Sequence, residues 1–267
     1  MGNRTLPDEP LAYETHGEGI PVVFLHGLTF DRRSWGPIIT RLSAGVRSIA
    51  IDLPGHGGSP GPACGLEQLA GRIAHTLDTI GGIDAPIVVG HSMSGALAMI
   101  YAGAHPVRGV VDIDQPWNIR PFAELVQQAA PMLCGERFSS TFNMFERTMG
   151  RLDLLSPAVQ ADVVAGRRVD SNVVLGYWDE ILHCVPMQLQ RRIEQQLASV
   201  TAPCLAVFGH ELSCDERQHM INLVSDVQLE EWPGAGHMVH LAEPDRFATR
   251  LGIFINHCAP LARGRAS

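Results

Sequence analysis

Gly90-His91-Ser92-Met93-Ser94-Gly95 follows the apolar run Ala85-Pro86-Ile87-Val88-Val89 and precedes Ala96-Leu97-Ala98-Met99-Ile100-Tyr101-Ala102, a stretch of helical character. One serine thereby falls at a sharp strand-to-helix turn. Such an elbow forces the serine into a strained backbone conformation with its neighbours' chains very close, so the residues two before and two after it must be small. Gly90 meets that need, and Ser94 stands where a second glycine is usual, with Gly95 directly behind it. At this turn the Ser92 hydroxyl points out of the sheet top as a nucleophile. The Met93 N–H, in the first turn of the helix, faces a developing oxyanion. A buried serine in an ordinary strand-to-helix turn is the competing reading, and the rest of the chain decides between the two.

The 267 residues, 45% of them hydrophobic, suffice for one large α/β core with an insertion and hardly for two independent domains. Twenty basic against 28 acidic residues give a net charge of −8 without any long basic run, so neither nucleic acid nor an anionic membrane surface is an expected partner. The N-terminus carries no apolar leader core and no stretch approaches a membrane span, and the chain is read as cytoplasmic. Cys64, Cys134, Cys184, Cys204, Cys214 and Cys258 form no C-x-x-C pair and are read as reduced thiols that fill space. His237 and His240 are a close pair without a third ligand at metal spacing, so no metal is expected.

Apolar runs at 11–16, 21–25, 47–52, 86–89, 108–113, 204–208 and 227–231 read as strands, and helical patterns fall at 66–80, 94–104 and 244–255. The alternation predicts a mostly parallel, doubly wound sheet. The first two strands, joined at Gly17-Glu18-Gly19, read as an antiparallel hairpin. From 116 to 200 strands vanish while Met132, Phe138, Phe142, Met144, Phe145, Met149, Trp178 and Met187 recur in helix-like segments. Residues 1–115 and 201–267 are therefore expected to form the core and 116–200 a helical cap over the carboxyl ends of the strands, where open α/β sheets bind ligands. The expected cleft residues are Trp117, Trp178, Met187 and Met238. The tail 262–267 reads as a frayed end.

His26-Gly27-Leu28 closes the strand that ends at Leu25, and an N–H from Leu28, or from Gly27, is positioned to join that of Met93 as an oxyanion donor. Asp52-Leu53-Pro54-Gly55-His56-Gly57-Gly58-Ser59 reads as a bracing loop. Trp232-Pro233-Gly234-Ala235-Gly236-His237 follows the last strand, and a histidine in a Gly-rich loop there swings over the sheet top to take the serine proton. His237 is the base on this reading, and His240 is a satisfied surface histidine.

Together these motifs resemble those of the α/β-hydrolase family: His26-Gly27, Asp52-x-Pro54-Gly55-His56-Gly57-x-Ser59, Gly90-His91-Ser92-Met93-Ser94-Gly95, the run from Ala202 to Gly209, and Gly234-x-Gly236-His237. The resemblance implies an eight-stranded sheet, an inserted helical lid and a Ser–acid–His triad with no cofactor. In most of the family the acid lies three residues after the glycine ending the seventh strand, and Leu212 stands there. Glu211 and Asp215 lie near that position. Asp114, after the sixth strand, is similar in placement to the acid of haloalkane dehalogenases and zearalenone-lactone hydrolases. Asp114 is the favoured acid and Glu211 the alternative.

Ser92, His237 and the Leu28 and Met93 amides describe acyl transfer to water through an acyl-enzyme. The expected substrate is a small, largely apolar ester or lactone. Cofactor-free perhydrolase or haloperoxidase chemistry and C–C bond hydrolysis use the same groups. A weakly catalytic, receptor-like binding protein is the reading from another class. Monomer and homodimer are both open.

Overall fold

The computed structural model of the chain describes residues 9–259, less the side chains of residues 148 and 149. The tail at 262–267 and the side chain of Met149 lie outside the described residues. A single sheet is built from β1 (Tyr13–His16), β2 (Gly19–Leu25), β3 (Gly45–Ile51), β4 (Ile87–His91), β5 (Gly109–Ile113), β6 (Cys204–Phe208) and β7 (Val227–Glu231). Their order is β1-β3-β2-β4-β5-β6-β7, with β1 antiparallel to β3 and every other pair parallel. This is the α/β-hydrolase fold with seven strands among the described residues rather than eight. The outer edge of β1, all of whose residues are exposed, takes no further strand among them.

The expected hairpin between β1 and β2 does not form, because β3 lies between them. His16 pairs with Ser48 on one side of β3, and Gly19 pairs with Gly45 on the other. The link Gly17-Glu18-Gly19 arches across the end of β3. A Cβ on Gly17 would lie 2.4 Å from the Val46 carbonyl oxygen and one on Gly19 would lie 2.0 Å from that of Gly45, at φ of +74° and +124°. These glycines serve a close backbone passage and not a two-residue turn.

Alternate residues of each parallel strand go to opposite faces. Val23 and Leu25 of β2 join Val88, Val110 and Ala206 under the helices Leu66–Ile80 and Met93–Ala104. Val22 and Phe24 join Val89, Val111 and Val207 under Trp35, Phe247, Leu251 and Phe254. Burial on both faces is why these strands read as unbroken apolar runs.

Between β5 and β6 the chain forms the helices Arg120–Leu133, Phe138–Met149, Pro157–Gly166, Ser171–Tyr177, Asp179–His183 and Pro186–Leu197. Phe138, Phe142, Phe145, Val174 and Trp178 make their shared apolar cluster. Met132, Met144 and Met187, by contrast, are exposed at 41, 69 and 42%. Among the described residues no helix is long and apolar enough to cross a membrane.

Candidate active site

Ser92 caps the helix Met93–Ala104 at φ 56° and ψ −132°, a conformation rare for a residue with a side chain. Its backbone is fixed on both sides: Ser92 N–H donates to the Ile113 carbonyl at 2.8 Å, and Gly95 N–H donates to the Ser92 carbonyl at 2.6 Å. A Cβ on Gly90 would fall 1.8 Å from the Ser94 oxygen, and one on Gly95 would fall 2.0 Å from Asp112 Oδ1. The elbow thus needs Gly90 and Gly95, while the buried Ser94 donates its hydroxyl to the His26 carbonyl at 2.5 Å. That bond ties the elbow to the turn carrying Gly27 and Leu28.

Of the three candidate carboxylates, Asp114 is the one that meets His237, its Oδ2 2.7 Å from Nδ1. The parallel pairing that sets Ile113 beside Val207 continues one residue further, with Asp114 N–H donating to the Val207 carbonyl at 2.9 Å. This carries the side chain to the end of β6, where its Oδ1 accepts the Gly209 N–H at 2.8 Å. Burial opposes the charge on Asp114, but bonds from His210, His237 and Gly209 prevail and hold its carboxyl well below the usual carboxylate range. With Nδ1–H of His237 given to the carboxylate, Nε2 is left as the proton acceptor. Glu211 and Asp215 are exposed, and Asp215 sits in the first turn of the helix Cys214–Leu223.

Two further histidines, missed from sequence, complete the surroundings. His91 is buried, and its Nε2 lies 2.9 Å from the His237 carbonyl oxygen, which sets the backbone of the Gly-rich loop. Burial, then the neighbouring His237, pushes its pKa down to about 3, so the ring is neutral. His210 places Nδ1 3.4 Å from Asp114 Oδ1. Its place directly after Gly209 was visible in the sequence, but nothing there marked it as a partner of a carboxylate from another strand.

His240 is a correction. It is 1% exposed, with its ring 4.8 Å from Trp35, 4.6 Å from His91 and 5.8 Å from Phe247. The short helix Val239–Ala242 turns it inward instead of to solvent. We expect His240→Ala to lower the melting temperature through a cavity worth about 2–4 kcal/mol while folded protein keeps activity within roughly tenfold. His237→Ala should instead remove activity with little change in melting. Equal activity losses per folded molecule would refute this separation.

The cavity above Ser92 and His237 measures about 1620 Å³, beyond the range usual for drug-sized ligands. Gly27, Leu28, Met93, Asp114, Trp117, Trp178 and Met238 line it, whereas Met187 does not. The helix Pro186–Leu197 turns Met187 to solvent, a facing its methionine content does not reveal. Trp117 is held by its Nε1–H bond to Asp112 Oδ2 at 2.6 Å, and burial pushes the Asp112 carboxyl up to about 8. Asp52 and His56 brace their loop as expected. Asp52 accepts from the N–H groups of Arg32 and Gly58 at 2.7 Å each, and His56 Nδ1 lies 3.1 Å from the Pro54 carbonyl oxygen.

The sequence model of a family described as "Alpha/beta hydrolase family" matches residues 22–250, and the chain belongs to that family. It is 26% identical over 240 residues to 2-succinyl-6-hydroxy-2,4-cyclohexadiene-1-carboxylate synthase of Serratia proteamaculans, covering 88% of this chain and 92% of that one. It is 28% identical over 245 residues to 2-(acetamidomethylene)succinate hydrolase of Mesorhizobium japonicum, covering 86% and 85%. The crystal structure of an E-2-(acetamidomethylene)succinate hydrolase superposes with a TM-score of 0.73 at 22% identity, over 92% of this chain and 95% of that one.

Proposed function

We propose that the chain is a serine hydrolase that cleaves a carboxylic ester or lactone, with Ser92 as nucleophile, His237 as base and Asp114 as the acid. The 2.7 Å contact of Asp114 with His237 Nδ1, below a cavity that Ser92 also lines, carries this reading. Ser92 Oγ attacks the acyl carbon as His237 Nε2 takes its proton. The Leu28 and Met93 N–H groups stabilise the oxyanion, and His237 returns the proton to the leaving alcohol. Water then enters by the same route in reverse and frees the acid. Met93 opens its helix, so its N–H has no acceptor within that helix and is available to the oxyanion.

On this reading the helices between residues 116 and 200 form a cap that selects the substrate. Trp117, Trp178 and Met238 give the cavity apolar walls. The substrate class is therefore an ester or lactone with an apolar acyl or alcohol group. A panel of p-nitrophenyl esters of rising chain length, run beside lactones with wild type and Ser92→Ala, tests it. Turnover of none of them by the wild type would sink the proposal.

Trp178 is 5% exposed and packs against Phe122, Phe142 and Phe145 with ring centroids 5.5, 5.6 and 5.7 Å away. Trp178→Ala should raise KM and shift chain-length preference more than it lowers kcat for p-nitrophenyl acetate, because binding lost equally from ground and transition states appears in KM. It should also lower the melting temperature by opening the aromatic cluster. A collapse of kcat with unchanged chain-length preference would contradict this assignment.

A further inference from the structure

Thr29 follows Leu28 and is a β-branched residue at φ 72°, a backbone region such residues occupy only where their surroundings hold them. Three of its polar atoms are engaged. Its N–H donates to His56 Nε2 at 3.1 Å, its carbonyl accepts the Arg168 N–H at 2.8 Å, and its Oγ1 accepts from Arg167 Nε at 3.3 Å. The first bond comes from the core, where burial lowers the His56 pKa and leaves a neutral ring to accept it. The other two come from the inserted helices.

The link that makes them is closely fitted. A Cβ on Gly166 would lie 2.9 Å from Asp31 Oδ1, so the end of the helix Pro157–Gly166 presses on the turn just after Thr29. Arg167 is in turn ion-paired with Glu146 of the helix Phe138–Met149. Thr29, Glu146 and Arg167 all line the cavity.

We propose that Arg167 is a positioning residue for the oxyanion turn: together with the Arg168 N–H it holds Thr29 in its left-handed conformation, which aims the Leu28 N–H at the acyl oxygen. The inserted helices then govern the rate of the chemical step as well as the fit of the substrate. This rests on the serine-hydrolase reading above. When Ser92 Oγ bonds to the acyl carbon and its proton passes to His237, the carbonyl π electrons move onto the acyl oxygen. A donor misplaced by a fraction of an ångström is missed there and hardly noticed in the ground state.

The test measures p-nitrophenyl butyrate kinetics and inhibition by an alkyl trifluoromethyl ketone, whose adduct with serine carries an oxyanion. Arg167→Met and Thr29→Val should each lower kcat by roughly 10- to 100-fold, leave KM within about threefold, and weaken the ketone by the same factor as kcat. The double variant should be no worse than the weaker single one, since both remove one contact. Thr29→Ser, which keeps the hydroxyl, should retain most of the rate. If Arg167→Met does not fold, Thr29→Val against Thr29→Ser decides alone. Unchanged kcat and ketone inhibition, losses that multiply in the double variant, or losses confined to KM would each overturn the proposal. An active Ser92→Ala would overturn the underlying serine reading instead, so the two failures are separable.

Discussion

Ser92→Ala is expected to lower kcat for p-nitrophenyl esters by on the order of 10⁵–10⁶ with an unchanged melting temperature. The elbow is held by backbone bonds of Ser92 to Ile113 and Gly95 and by the close packing at Gly90, none of which uses the side-chain oxygen. Alanine at φ 56° bears the same backbone strain as serine, so the folded state loses little. On the proposed reading the nucleophile, however, is gone, and what survives is the modest acceleration from oxyanion donors and substrate binding. Burst kinetics and single-turnover assays on purified variant check this. Near-wild-type turnover by a folded Ser92→Ala protein would remove the whole catalytic assignment.

Asp114→Asn is expected to cost roughly 10³–10⁴ in kcat at neutral pH. Asparagine keeps the shape and can still accept the Gly209 N–H. Its amide cannot stabilise an imidazolium, and by donating to Nδ1 it favours the wrong tautomer of His237. The Asp114 carboxyl is held below the usual carboxylate range, so it is ionised at every pH where the enzyme would be assayed, and the wild-type profile should show no acid limb from its protonation. Hydroxide partly replaces a missing base, so the residual rate of the variant should climb with pH further than that of wild type. Glu211→Gln, at an exposed position, should leave kcat within about twofold of wild type. A crippled Glu211→Gln beside an active Asp114→Asn would move the acid to the loop after β6.

Much of this was legible in the chain because the signals are local. The helix Leu66–Ile80 and the strands Cys204–Phe208 and Val227–Glu231 have the limits their apolar spacing predicts. Gly90, Ser92 and the Gly-rich loop before His237 announce themselves for the same reason, since each answers to strain within a few residues. What failed depended on distant partners. Gly17-Glu18-Gly19 carries the composition of a turn, and only the arrival of β3 makes it an arch. His240 lies past the glycine loop and near a helix start, which reads as surface, yet Trp35 and His91 close over it from far along the chain. Asp114 was favoured over Glu211 only through a family resemblance, and what brings it to His237 is the register of β5 against β6, which no spacing in the sequence reveals.

Because β3 separates β1 from β2, β1 depends for its one pairing in the sheet on residues 45–51, some thirty positions further along the chain. The order of strands in the sheet therefore departs from their order in the chain at this edge. Asp114 and His237 are 123 residues apart with seven α-helices between them, so their contact closes a long loop. On the proposed reading, removing β7 and the Gly-rich loop after it would therefore leave the Ser92 elbow in place without the His237 that serves it.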